Sequence, residues 1–92
     1  MKKHEKRLQK ARNNPNAVSY NDFVSILENA GYTLRMTKGS HRVAYRKLEE
    51  SDFIITFAEP HGKKKSVHEN AVKKLLKQLE EMAKLEESGE DE

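Results

Sequence analysis

Four consecutive residues, Lys38-Gly39-Ser40-His41, bring together the side chains that proton transfer beside a bound phosphate requires. A glycine in a turn permits positive φ and lets a ligand approach the backbone closely. The serine hydroxyl can donate a hydrogen bond to a phosphate oxygen. An imidazole with an unperturbed pKa near 6.5 (about mid-range for neutral conditions) can accept or release a proton. Arg42, directly after the histidine, and the run Lys63-Lys64-Lys65 supply positive charge. Metal-free cleavage of an RNA phosphodiester needs a group that takes the 2′-hydroxyl proton, one that protonates the leaving 5′-oxygen, and a cation facing the transition state. His41 suits either proton role, and Lys38, Arg42 or the lysine run suits the charge. On spacing alone the same residues also suit a plain hairpin turn and the first residue of a strand, and both readings stand at this point.

His61 lies between Pro60 and Gly62 and just before the lysine run. It can contact phosphate or orient RNA, and it can equally cap its own loop by a hydrogen bond. Lys63, Lys64 and Lys65 precede a predicted helix start, where phosphate binding and simple solvation are both open. His68 reads as an exposed residue of that helix. A zinc site built from His61 and His68 would need Glu59 or Glu69, a spacing that matches no known ligand pattern, so no metal and no cofactor is expected. Tyr32 and Tyr45 read as core or sheet-face residues rather than as base-stacking platforms.

The elements that position these residues follow from the pattern. The charged stretch before Asn13-Asn14-Pro15-Asn16 can form a helix but has almost no apolar face beyond Leu8 and Ala11. It therefore reads as a loosely docked basic arm, residues 1–16. Ser19 and Asp22 have capping-box spacing, Phe23, Ile26, Leu27 and Ala30 share one helical face, and Gly31 stands where a terminating glycine belongs. Three strands follow: Tyr32–Met36, His41–Lys47 with His41, Val43 and Tyr45 on one face, and Phe53–Ala58 after a polar stretch from Glu49 to Asp52. Ser66 and Glu69 make a second capping-box spacing, and Val67, Ala71, Val72, Leu75, Leu76, Leu79 and Met82 form the stripe of a last helix. Residues 86–92 read as a disordered acidic tail, leaving 17–85 as the folded domain.

These elements give an α+β domain of order α-β-β-β-α, a three-stranded antiparallel sheet with two helices on one face, the layout of double-stranded-RNA-binding-like domains. With 92 residues only one such core is expected. Absence of cysteine excludes disulfides and thiolate metal sites. No apolar run suits a membrane span or a signal peptide, so a soluble cytoplasmic protein is expected. The net charge of +3 hides an asymmetry, because from Glu80 onward seven acids face the single base Lys84. The preceding part is strongly basic, which favours polyanions, nucleic acid above all, as partners.

In this context Gly31-Tyr32, Gly39-Ser40-His41, Pro60-His61-Gly62 and the helix from Ser66 follow one another in an order and spacing that resemble the HicA toxin family, the YcfA-like mRNA interferases. The resemblance spans roughly residues 19–80. It implies the toxin of a type II toxin–antitoxin system, a metal-independent endoribonuclease acting on mRNA and neutralised by a HicB-like antitoxin. It carries the catalytic role to His41 and the signature glycine and serine to Gly39 and Ser40. Arg42 stands where many members have an apolar residue or a second histidine, and the acidic turn between the second and third strands departs from the family's glycine-containing one. A non-catalytic RNA-binding module of the same fold, or a toxin relic serving as a protein-interaction domain, are the alternatives from other classes.

Overall fold

The computed structural model describes residues 3–60 and 65–90. Helix α1 (Lys3–Asn13) is followed by a short 3-10 turn at Pro15–Ala17, then helix α2 (Tyr20–Asn29), strands β1 (Thr33–Met36), β2 (His41–Leu48) and β3 (Ser51–Ala58), and helix α3 (Glu69–Glu90). The expected α-β-β-β-α order is therefore present, with α1 added in front. The sheet order is β1-β2-β3 and both pairings are antiparallel.

Local sequence dictates α2 at both ends. The Ser19 hydroxyl accepts from the Asp22 N–H at 3.1 Å, satisfying one of the donors that a helix start leaves open. At the other end Gly31 adopts φ 89, its N–H donates to Glu28 O at 3.1 Å, and the Tyr32 N–H reaches back to Leu27 O at 3.0 Å. This paired closure needs a left-handed residue at the position Gly31 holds. Between the caps, Phe23, Ile26 and Leu27 are buried.

The two faces of the sheet differ sharply. Leu34, Ala44, Arg46, Phe53, Ile55 and Phe57 point toward the helices, and Ala44 and Ile55 there are fully buried. The small Ala44 side chain at the centre of the middle strand leaves room for the packed aromatics, where Phe23 meets Phe57 edge-on at 4.8 Å. Leu75, Val72 and Val67 complete this core from the α3 side. The opposite face carries Thr33, Arg35, His41, Val43, Tyr45, Ile54 and Thr56, and no described helix covers it, leaving Tyr45 43% and Ile54 47% exposed.

Several boundaries differ from the sequence expectation. The arm is not loosely docked: α1 is packed, with Ala11 1% exposed inside the core and Leu8 half-buried against it. The small alanine side chain lets the helix approach closely, Leu8 packs beside it, and Arg7 pairs with Asp22 at 3.4 Å. The turn between β2 and β3 is only Glu49-Glu50, so β3 begins at Ser51, and Glu49 takes φ 58 to close it. The last helix begins at Glu69 instead of Ser66. Ser66 bridges Ser19, the Val67 N–H donates to Val18 O at 2.8 Å, and the His68 Nδ1 accepts from the Asn70 N–H at 3.1 Å. Pairing across the fold thus outcompetes the local capping box, and His68 caps the helix in its place. The helix also continues to Glu90, past the boundary expected at Leu85, with Glu86 held 3.6 Å from Arg46. Glutamate is a good helix former, and the ion pair anchors the added turn.

Arg46 joins three elements. Its guanidinium donates to Ala30 O at 2.6 Å, lies 3.3 Å from Met82 Sδ, and meets Glu86. It also fills the space beside Gly31, where an added Cβ would come within 3.2 Å of Arg46 Nε. Nearby, the Tyr32 hydroxyl donates to Gln78 Oε1 at 2.6 Å, and Gln78 Nε2 donates to Ile54 O at 3.1 Å, tying α3 to the start of β1 and the edge of β3.

Candidate active site

The turn joining β1 to β2 is built by Lys38-Gly39-Ser40-His41. The His41 N–H donates to Lys38 O at 3.0 Å and the Thr37 N–H to His41 O at 3.1 Å. Gly39, the first central residue, has φ 60, the glycine-first pattern of a type II′ hairpin turn. An added Cβ there would meet nothing within 4 Å, so the glycine answers to backbone conformation and not to lack of room. Lys38 is exposed and Ser40 half-buried, its carbonyl accepting from the Glu59 N–H at 2.9 Å. The turn is thereby fastened to the end of β3.

His41 opens β2 opposite Ala58 and lies on the uncovered face of the sheet, exposed to solvent. Among the described residues no carboxylate hydrogen-bonds its imidazole. Among the described residues no hydrogen bond engages either ring nitrogen or imposes a tautomer. The alternation expected in β2, with His41, Val43 and Tyr45 on one side and Arg42, Ala44 and Arg46 on the other, is observed.

Arg42 serves the turn. Its Nη1 donates to Gly39 O at 3.1 Å and His41 O at 3.2 Å, and its Nη2 meets Glu59 Oε1 at 3.3 Å. The side chain is 15% exposed. Its guanidinium is engaged by oxygens of the protein itself, on the face opposite His41. Glu59 is the residue that sequence reasoning passed over in this role. In the sequence it stands out only as a possible metal ligand, and no local spacing signals that it would meet Arg42.

Of the other residues singled out for RNA binding, Lys65 is exposed just before the Ser66 bridge, while His61, Lys63 and Lys64 lie outside the described residues. Among the described residues no three of His, Asp or Glu gather as metal ligands would, and no helix is long and apolar enough to cross a membrane.

A family model, described as the HicA toxin of bacterial toxin-antitoxin, matches residues 20–80. The chain belongs to the HicA toxin family. The match begins with the first residue of α2 and ends within α3, so it contains the whole sheet, the Gly39 turn and His41. Helix α1 lies before the matched span although Ala11 belongs to the core. Membership makes the protein a toxin of a toxin–antitoxin system, and an antitoxin is the kind of partner it implies. No curated protein and no solved structure matches the chain.

Proposed function

We propose that this HicA family toxin is a metal-independent endoribonuclease that cleaves mRNA in the cytoplasm, with His41 as the catalytic residue and a HicB-like antitoxin as its inhibitor. The observation that carries this reading is the position of His41, an exposed imidazole at the end of a glycine turn on the uncovered face of the sheet. A scissile phosphate seated at the turn comes within reach of the backbone around Gly39, the Ser40 hydroxyl and the Lys38 ammonium. His41 takes the proton of the 2′-hydroxyl, the 2′-oxygen bonds to phosphorus, and the bond to the 5′-oxygen breaks. The leaving oxygen takes a proton from water or a second acid, and the products carry a 2′,3′-cyclic phosphate and a 5′-hydroxyl. Lys38 and the lysine run, with Lys65 its described member, offset charge on the phosphorane. Arg42 acts at one remove, holding the turn carbonyls so that His41 keeps its place. Family membership in a group of toxins supports the destructive activity.

The test is RNA cleavage by purified protein in EDTA, wild type beside His41→Ala, with matching circular dichroism. Loss of a general acid–base group lowers the rate by about 10²–10⁴. Equal cleavage by both proteins would remove His41 from the chemistry, and RNA binding without cleavage by either would favour the binding-module alternative.

A further inference from the structure

The uncovered sheet face is an ordered array. Thr33, Tyr45 and Ile54 form one row across the three strands, and Arg35, Val43 and Thr56 form the next, toward His41. Thr33, Arg35, Val43, Tyr45 and Ile54 line a shallow groove of ≈ 460 Å³. The other two tyrosines are placed differently. Tyr32 is buried with its hydroxyl on Gln78, and Tyr20 leans on Phe57. Of the three tyrosines, Tyr45 alone offers its ring on the face that holds His41.

We infer that this face is a platform for single-stranded RNA, on which Tyr45, flanked by Arg35, stacks a base of the strand that passes His41. The inference rests on the nuclease reading above and names the substrate form and a positioning residue for it. Helices cover the other face of the sheet, so a substrate touching His41 must lie over the side where Tyr45 stands. His41 and Tyr45 are four residues apart on β2, about 13 Å at the rise of a strand. That separation places the stacked base beside the scissile phosphate's own nucleotides and not at the cleaved bond. Every base has a π-face, so an aromatic ring in this position holds the strand without demanding a sequence. Arg35 and Lys47 supply cations on the same face, and the one acid among its described strand residues, Asp52, lies opposite Lys47 at the end remote from His41. The charge thus complements a polyanion, and an arginine beside the ring adds a second planar group on which a base can stack. In a duplex the bases are already stacked on each other and would not reach the ring.

The experiment is fluorescence anisotropy of a labelled single-stranded 2′-O-methyl RNA, which has no 2′-hydroxyl to react, with the full chain as wild type, Tyr45→Phe, Tyr45→Ala, Tyr45→Val and Arg35→Ala. Tyr45→Val keeps a strand-forming side chain should the alanine variant fail to fold. Removing the ring is expected to weaken binding about 5- to 150-fold. Tyr45→Phe should stay within about twofold of wild type, and the salt dependence of the Tyr45 variants should keep its slope because no phosphate contact is lost. Unchanged affinity in folded Tyr45→Ala or Tyr45→Val would overturn the inference. Tighter binding of a duplex of the same length, no RNA binding by wild type, or a Tyr45 variant that loses only its antitoxin would do so too. Cleavage measured in parallel separates the two readings. Retained activity in His41→Ala would remove His41 from the chemistry, and no cleavage by wild type would sink the nuclease assignment, each leaving the platform to be judged by the binding data.

Discussion

Replacing Arg42 by alanine separates a residue that braces the site from one that grips the substrate. The substitution removes two hydrogen bonds to turn carbonyls, at 3.1 and 3.2 Å, and an ion pair at 3.3 Å. Glu59 is 44% exposed, so the ion pair contributes at most about 1 kcal/mol. The two carbonyl bonds contribute about 0.5–1.5 kcal/mol each, at the low end here because the freed oxygens of an exposed turn regain water. The total is about 1–2.5 kcal/mol, which in a domain of this size lowers Tm by about 5–15 °C. Thermal unfolding followed by circular dichroism gives that number directly. RNA affinity measured across a range of salt gives the decisive one. A brace leaves the slope of log affinity against log salt unchanged while cleavage falls through a displaced His41. A phosphate contact reduces the slope by about 0.7 for a single strand. An unchanged Tm together with a reduced slope would refute the bracing role.

Two further predictions concern the scaffold. Glu49 holds φ 58 in a two-residue turn, a conformation that costs an L-residue about 1–2 kcal/mol, so Glu49→Gly should raise stability by about 0.5–1 kcal/mol once the entropy of glycine is subtracted. Denaturant unfolding reads this, and a lower midpoint would show that the glutamate side chain has a role of its own. Burial pushes the Tyr32 phenol up to about 12 from its ordinary 10.0, with Arg46 pulling it back and Glu81 adding to the rise. The folded state therefore disfavours the phenolate. The stability contributed by neutral Tyr32 is complete below pH 10.0 and is lost as pH rises through about 12. Ultraviolet titration of the native protein should show a late tyrosine ionisation, and Tyr32→Phe should abolish that step.

What was legible in the sequence was local. Ser19, Asp22 and Gly31 sit within one helix length of each other, and both ends of α2 emerged as expected from their spacing. Strand alternation correctly separated His41, Val43 and Tyr45 from Arg42, Ala44 and Arg46. Alternation cannot say which side the helices will cover, and that is why the pattern marks Tyr45 as a core or sheet-face residue and not as an open ring. Helix α3 starts later than the sequence predicts because, although Ser66 and Glu69 match a capping box, Ser66 and Val67 find better partners in Ser19 and Val18. No glycine marks the turn at Glu49-Glu50, so the sequence predicts a shorter strand after it than the one formed. The Arg42–Glu59 pair depends on the register of two strands and left no trace in either segment.

The contact between Gly31 and Arg46 bears on how this chain can change over generations. Any other residue at 31 meets two separate obstacles, the left-handed backbone and the guanidinium that occupies the space a side chain would need. Losing Arg46 removes the second obstacle only, and it also releases the link between the end of α2, the middle strand and the far part of α3. The order of events is therefore one-way. Position 46 can drift while 31 stays glycine, but a lineage that first gives up Gly31 must hold a side chain in the left-handed backbone and shift Arg46 by a few tenths of an ångström in the same step, which makes the glycine the more durable mark of the two.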